Sequence, residues 1–270
     1  MDGTDYRTSD IDAQHKAVMQ DAGKTLSEVQ MDYFFTALLP PLREGLDPVA
    51  TVEKLKREGH IMDDCWVSFK GDPAKAVEKE DDHFESLSTL NTPPGSSRAP
   101  SANTRLTKTR PDGYLVKVDR PEGAIRWMDI GLCAEYKTYA SKKDRNGNVC
   151  KVVWSMRQCM REDARRRFVY GLTIENATMR LWYASRAELL VSERIHWQKD
   201  HKTVVNIFQA LMYAEEHTVG WDPTIIYVIQ KDKGRRGMKS KKSVADEIEL
   251  AEDKSPRVDI LVRDKVSQFP

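Results

Sequence analysis

The stretch PDGYLVKVDRPEGAIRWMDIGLCAEYK, residues 111–137, decides how the rest of this 270-residue chain reads. It opens on a Pro-Asp step and closes on Glu135-Tyr136-Lys137. Between Asp112 and Glu135 there is room for one strand, a Pro- and Gly-bearing turn at 119–123 and a second strand, so the two acids are expected at one end of a hairpin. Side chains two apart share one side of a strand. The apolar run from Trp127 to Lys137 therefore puts Glu135 and Lys137 together, with Met128, Ile130, Leu132, Ala134 and Tyr136 on the opposite side. Asp129 falls on the Glu135 face, but six residues back is roughly 20 Å along a strand, too far to share a ligand. Asp112 is the better partner.

Hard divalent cations such as Mg²⁺ and Mn²⁺ take oxygen ligands, commonly one or two carboxylates with waters and substrate phosphate. The candidate metal ligands are Asp112, Glu135 and the backbone carbonyl of Tyr136. Lys137 would orient a water nucleophile or offset charge on an attacked phosphate. The plain alternative is a Pro-Asp turn followed by a strand that ends in a surface Glu and Lys.

These motifs, Pro111-Asp112 followed by Glu135-Tyr136-Lys137, resemble those of the PD-(D/E)XK nuclease superfamily. The resemblance implies an α/β (α+β) fold, a restriction-endonuclease-like core in which a helix, a three-strand meander, a helix and a further strand form a mixed sheet flanked by helices. It also implies a metal-dependent phosphodiesterase site with Asp112, Glu135 and Lys137 as its catalytic residues.

A 30.9 kDa chain can bury a substantial core. Its 43 basic and 42 acidic residues nearly cancel, which removes any global pull toward nucleic acid or membrane and leaves only local charge to consider. No run of apolar residues is long enough to span a bilayer and the first ten residues are polar, so the expectation is an intracellular protein, nuclear or cytoplasmic, without a membrane partner. Cys65, Cys133, Cys150 and Cys159 form no CxxC pair and read as reduced thiols. The six histidines do not cluster, and the six tryptophans sit in apolar runs that suggest core anchors.

The organisation expected is a helical N-terminal portion over 1–90, a flexible Pro- and Ser-rich linker over 91–110 and the nuclease-like core over 111–270. Within the first portion, Ser27 would cap a helix through Val29, Phe34 and Leu38, and Asp47-Pro48 would start another that ends before Gly59. An acidic helix over 77–90 is either a solvated face or a source of one more ligand. After Lys137, the run Asp144-Arg145-Asn146-Gly147 signals a turn, and 149–165 a helix with Val152, Val153, Met156, Cys159 and Met160 in one apolar stripe. Gln158 and Arg161 are the polar residues on it placed to support the site, unless they are merely surface residues. Strands follow over 168–174 and 178–184, an edge segment over 192–196, a helix over 203–217 and strands over 224–229 and 258–262.

From Trp127 onward the chain resembles the N-terminal region of the fungal-type protein kinase family. The matching features are Trp127, Glu135-Tyr136-Lys137, Gln158, Arg166-Arg167-Phe168-Val169, Gly171-Leu172-Thr173, Arg180-Leu181-Trp182 and Gly220-Trp221-Asp222-Pro223-Thr224. After Leu-Trp the family continues with an aromatic residue, Asp, Arg and Gly, whereas this chain has Tyr183-Ala184-Ser185-Arg186. The resemblance places the end of the chain about where kinase lobes would begin. No glycine-rich phosphate loop, catalytic-loop Asp or Asp-Phe-Gly occurs, so protein phosphorylation is not expected. A non-catalytic module that binds a partner or nucleic acid is the alternative to hydrolysis.

Local charge supplies the candidate nucleic-acid surface. Arg165 and Arg166 lie at a helix-to-strand junction, and Lys231, Lys233, Arg235, Arg236, Lys239, Lys241 and Lys242 crowd a basic loop over 231–242. Such a run would follow a phosphate backbone, serve as a nuclear-import signal, or simply be a solvated loop. Nucleases of the implied fold often work as dimers, so a homodimer is a further expectation.

Overall fold

The computed structural model describes residues 17–20, 26–69, 73–75, 111–116, 125–229 and 258–262. The chain divides into two compact units, Met1–Trp221 and Asp222–Pro270. The expected acidic helix over 77–90, the linker over 91–110 and the basic loop over 231–242 lie outside the described residues. Among the described residues no helix is long and apolar enough to cross a membrane.

The first unit is a mixed α/β structure built on a seven-stranded sheet of β1 (Leu26–Val29), β4 (Gly113–Val116), β5 (Ile130–Lys137), β6 (Phe168–Glu175), β7 (Thr178–Ser185), β8 (Leu189–Ser192) and β9 (Ile195–His196). Their order is β1-β8-β7-β6-β5-β4, with β9 on the end of β7. Pairing is antiparallel except for β1 with β8 and β5 with β6. A parallel pair needs a crossover, and the helix α2 (Lys142–Glu162) between β5 and β6 provides it. A separate hairpin joins β2 (Ile61–Met62) to β3 (Cys65–Trp66).

Pleating sorts the sheet into two faces. Leu132, Ala134 and Tyr136 of β5, Tyr170, Leu172 and Ile174 of β6 and Leu181 of β7 pack with Phe34 and with Val204, Ile207 and Leu211 of α3 (His201–Met212). On the opposite face Cys133, Val169, Trp182 and Val191 meet Val152, Val153, Met156 and Cys159 of α2, the apolar stripe expected from the sequence. Five of the six tryptophans are buried, four of them in these cores, which fits their reading as anchors.

Several expected boundaries move, each for a local reason. Residues 26–29 are strand rather than helix, because all four pair in register with β8, and the helical segment Met31–Leu38 begins only where Glu193 Oε1 accepts from the Met31 amide at 2.9 Å. The helix α1 (Pro48–Arg57) is as expected, with Asp47 accepting from the Val49 and Ala50 amides and Gly59 at a φ of 77° just beyond its end. The presumed turn at 144–147 is the start of α2, capped by Ser141, which accepts from the Asp144 amide. The α3 helix stops at Met212, well short of residue 217, where Met212 and Tyr213 are solvent-exposed. The strand β5 starts at Ile130, and Trp127–Asp129 is a 3-10 turn. A register shift against β4, with Val116 opposite Ile130, leaves Gly131 as the extra residue of a bulge. Ile130 is thereby turned onto the α2 side, the reverse of the face that simple alternation predicts.

In the second unit β10 (Ile225–Ile229) and β11 (Val258–Val262) form an antiparallel pair, as the two late β-branched runs suggest.

Candidate functional site

Asp112 immediately precedes β4, and Glu135 lies near the end of β5, which runs antiparallel to it. Gly113 pairs with Ala134, so the two acids flank one rung of the ladder. The Tyr136 amide donates to Asp112 Oδ2 at 2.9 Å, tying the first acid to the strand that carries the second. Gly113 leaves room for the Tyr136 ring, since a Cβ there would overlap the tyrosine hydroxyl. Two carboxylates far apart in the sequence are thus brought together, as the hairpin reading required.

The helix α2 closes over them. Ser155 Oγ donates to Glu135 Oε1 at 3.2 Å, and Lys151 Nζ lies 3.7 Å from Glu135 Oε2 and 3.9 Å from Asp112 Oδ1. Asn148 Nδ2 donates to the Glu135 carbonyl at 3.2 Å, to the Ile174 carbonyl at 3.3 Å and to Glu175 Oε1 at 2.8 Å. Asn148, Lys151, Ser155 and Gln158 recur at helical spacing and form a polar seam beside the apolar stripe of α2. Lys151, Ser155, Asn148 and Glu175 are the site neighbours that sequence reasoning missed. Only the three-and-four spacing of the polar residues on α2 signalled the first three, and Glu175, at the end of β6, gave no such signal.

Electrostatics set Glu135 apart. It is 2 % exposed, and burial first, then the neighbouring Asp112 carboxylate, pushes its carboxyl well above the ordinary range, while Lys151 and the Ser155 hydroxyl pull the other way. Its Oε2 is buried and accepts no hydrogen bond. Glu175, also 2 % exposed, is likewise raised by burial, with the Asn148 amide opposing the shift.

The other candidate residues fall in differing surroundings. Lys137 is half-buried on the α2 side of β5 and lies opposite Glu175 of β6 in register. Gln158 is buried with its Oε1 unpaired, whereas Arg161 is exposed and pairs with Glu162 at 2.9 Å. Arg165 is held by Asp163 at 2.8 Å. Arg166 is not on the surface. It is 1 % exposed, stacks over Trp221 at 3.2 Å and donates to the Ile130 carbonyl, and burial brings its pKa down to about 10. Its length and charge suggested a phosphate contact, yet here it anchors a chain crossing. Asp129 is occupied by Arg126, whose amide and guanidinium both donate to it. Lys231, Lys233, Arg235, Arg236, Lys239, Lys241 and Lys242 lie outside the described residues.

Among the described residues no group of three or more His, Cys, Asp or Glu side chains is arranged to hold a metal. The donor set here is a carboxylate pair, the number Mg²⁺ commonly uses when water and substrate phosphate complete its shell. The buried Oε2 that accepts no hydrogen bond, beside a second carboxylate, fits a cation.

Comparison with known proteins finds a family model described as Fungal protein kinase that matches residues 110–263. Neither the curated proteins nor the solved structures contain a match.

Proposed function

Because the chain belongs to the fungal protein kinase family yet carries no kinase phosphate-binding or Asp-Phe-Gly signature, we propose that its chemistry is that of the Asp112–Glu135 site, metal-dependent hydrolysis of a nucleic-acid phosphodiester. The observation that carries this reading is the convergence of the two acids under α2, with one Glu135 oxygen buried and not hydrogen-bonded.

Asp112, Glu135 and the Tyr136 carbonyl would hold Mg²⁺ or Mn²⁺. When bound, such an ion supplies Lewis-acid activation of water and of the attacked phosphoryl group. The chain's own residues do the rest. The Tyr136 amide fixes Asp112, Ser155 fixes one oxygen of Glu135, and the packing of α2 on β5 keeps bulk water from the inner carboxylate. Lys137, one pleat beyond Glu135, orients the attacking water and offsets charge on the phosphate. The cationic run 231–242 is the chain's most concentrated positive charge and the natural partner for a nucleic-acid backbone.

The test is cleavage of single- and double-stranded DNA and RNA by the purified protein with Mn²⁺. Asp112→Asn and Lys137→Ala are each expected to reduce cleavage about a hundredfold or more. Cleavage unchanged in both variants refutes the assignment.

The family match favours one other reading: the chain serves as a non-catalytic kinase-associated module that binds a partner or nucleic acid. In that case the carboxylate pair is a relic, and calorimetric titration shows Mn²⁺ binding no better to the wild type than to Glu135→Ala.

A further inference from the structure

The Glu135 carboxylate is held unevenly. Its Oε1 accepts from Ser155, while the buried Oε2 accepts no hydrogen bond and faces the Lys151 ammonium. At 3.7 Å from Glu135 and 3.9 Å from Asp112, that ammonium is beyond the 2.7–3.2 Å or so of a direct N–H···O bond. It therefore acts on both carboxylates as a point charge. Lys151 stands one helical turn before Ser155, on the polar seam of α2, and its side chain is 37 % exposed. Four methylenes tether the charge to the helix while leaving the head close to water, so it can swing outward and rehydrate without any backbone movement.

We infer that Lys151 is a tethered counter-ion that competes with a divalent cation for the space between Asp112 and Glu135. This rests on the proposed metal site and adds to it a specific exchange. The ammonium balances the acid pair until the ion arrives and then swings out toward solvent. Two positive charges within a few ångströms of the same oxygens repel, and the denser one takes the oxygens. The ordinary reading of Lys151, a helix surface lysine that happens to find an acid, does not account for its near-equal distance from two acids far apart in the chain. Nor does it account for a buried oxygen left without a donor.

Titration of Mn²⁺ alone into the full chain by calorimetry, at fixed pH and salt, reads the exchange directly. Lys151→Met removes the competing charge but keeps the packing of the stem, and is expected to tighten Mn²⁺ binding about tenfold. Lys151→Arg substitutes a fork that bonds carboxylates bidentately, and is expected to weaken it. Melting curves in chelator establish that each variant is folded. Binding to Lys151→Met that is equal to or weaker than wild type, while Glu135→Gln abolishes binding, overturns the counter-ion role and leaves the metal site standing. Binding to Glu135→Gln that matches wild type overturns the metal site itself.

Discussion

Glu135 illustrates what burying one ionisable residue costs a fold. Its pKa in the folded chain lies well above the ordinary carboxylate value, through burial and then Asp112. A group raised on folding contributes its stability below its unfolded pKa and loses it as pH rises through the folded pKa. In chelator, Glu135→Gln is therefore expected to match wild type in acid and to become more stable, by about 1–2 kcal/mol, as pH climbs above the ordinary carboxylate range. Thermal melts across that range check it, and a variant that melts lower than wild type at neutral pH contradicts the account. The acid pair itself was legible, because strand alternation and a hairpin of suitable length put Asp112 and Glu135 together without knowledge of the rest. Lys151 and Ser155 were not. Their approach depends on how α2 lies across the sheet, which no local spacing specifies. Arg166 misled for a related reason: beside Arg165 it reads as surface charge until Trp221, distant in sequence, is found stacked on its guanidinium.

At the scale of elements, the site depends on how closely α2 packs on β5 and β6. Gly171 sits at the centre of that contact, where a Cβ would come within 2.8 Å of both Met156 Sδ and Val152 Cγ2. The methionine can turn aside, but a β-branched valine in a helix has little rotamer freedom. Gly171→Ala should therefore lift the helix and cost about 1–3 kcal/mol, and adding Val152→Ala should recover part of the loss. Equilibrium unfolding of the two single variants and the double variant measures this. Strict additivity would show that the helix does not rest on β6 here. The sequence revealed the apolar stripe of α2 but misplaced its start. Asp144-Arg145-Asn146-Gly147 has the composition of a turn, yet Ser141 caps the helix three residues earlier, and Asn148, a residue typical of loops, is drawn inward by three acceptors that converge on it from two strands. Local propensity was outweighed by a buried hydrogen-bond network, the usual way such readings fail. Likewise, the bulge at Gly131 reversed the face of Ile130 while leaving Glu135, on the far side of it, in phase.

For the whole molecule, the question is which parts fold together. The sequence suggested a helical N-terminal portion separated by a linker from a core beginning near residue 111. The sheet is organised differently, because β1 forms its edge beside β8, and Met31, Phe34 and Phe69 belong to the same apolar cluster as Ile174, Ile207 and Leu211. Strand order cannot be read from a chain whose first strand pairs in parallel with one more than 150 residues away. A fragment of residues 111–270 would expose the β8 edge and remove Phe34, which is fully buried. The loss of one buried aromatic alone is about 3–5 kcal/mol, a large share of the stability of an ordinary domain. The 111–270 fragment is therefore expected to aggregate or to melt without a cooperative transition. Residues 1–221, which contain every strand of the sheet, should melt cooperatively and close to the full chain. Circular dichroism melts and size-exclusion profiles of the two fragments beside the intact protein decide it. A cooperatively folded, monomeric 111–270 would mean that the N-terminal strand and helical segment decorate the core rather than complete it.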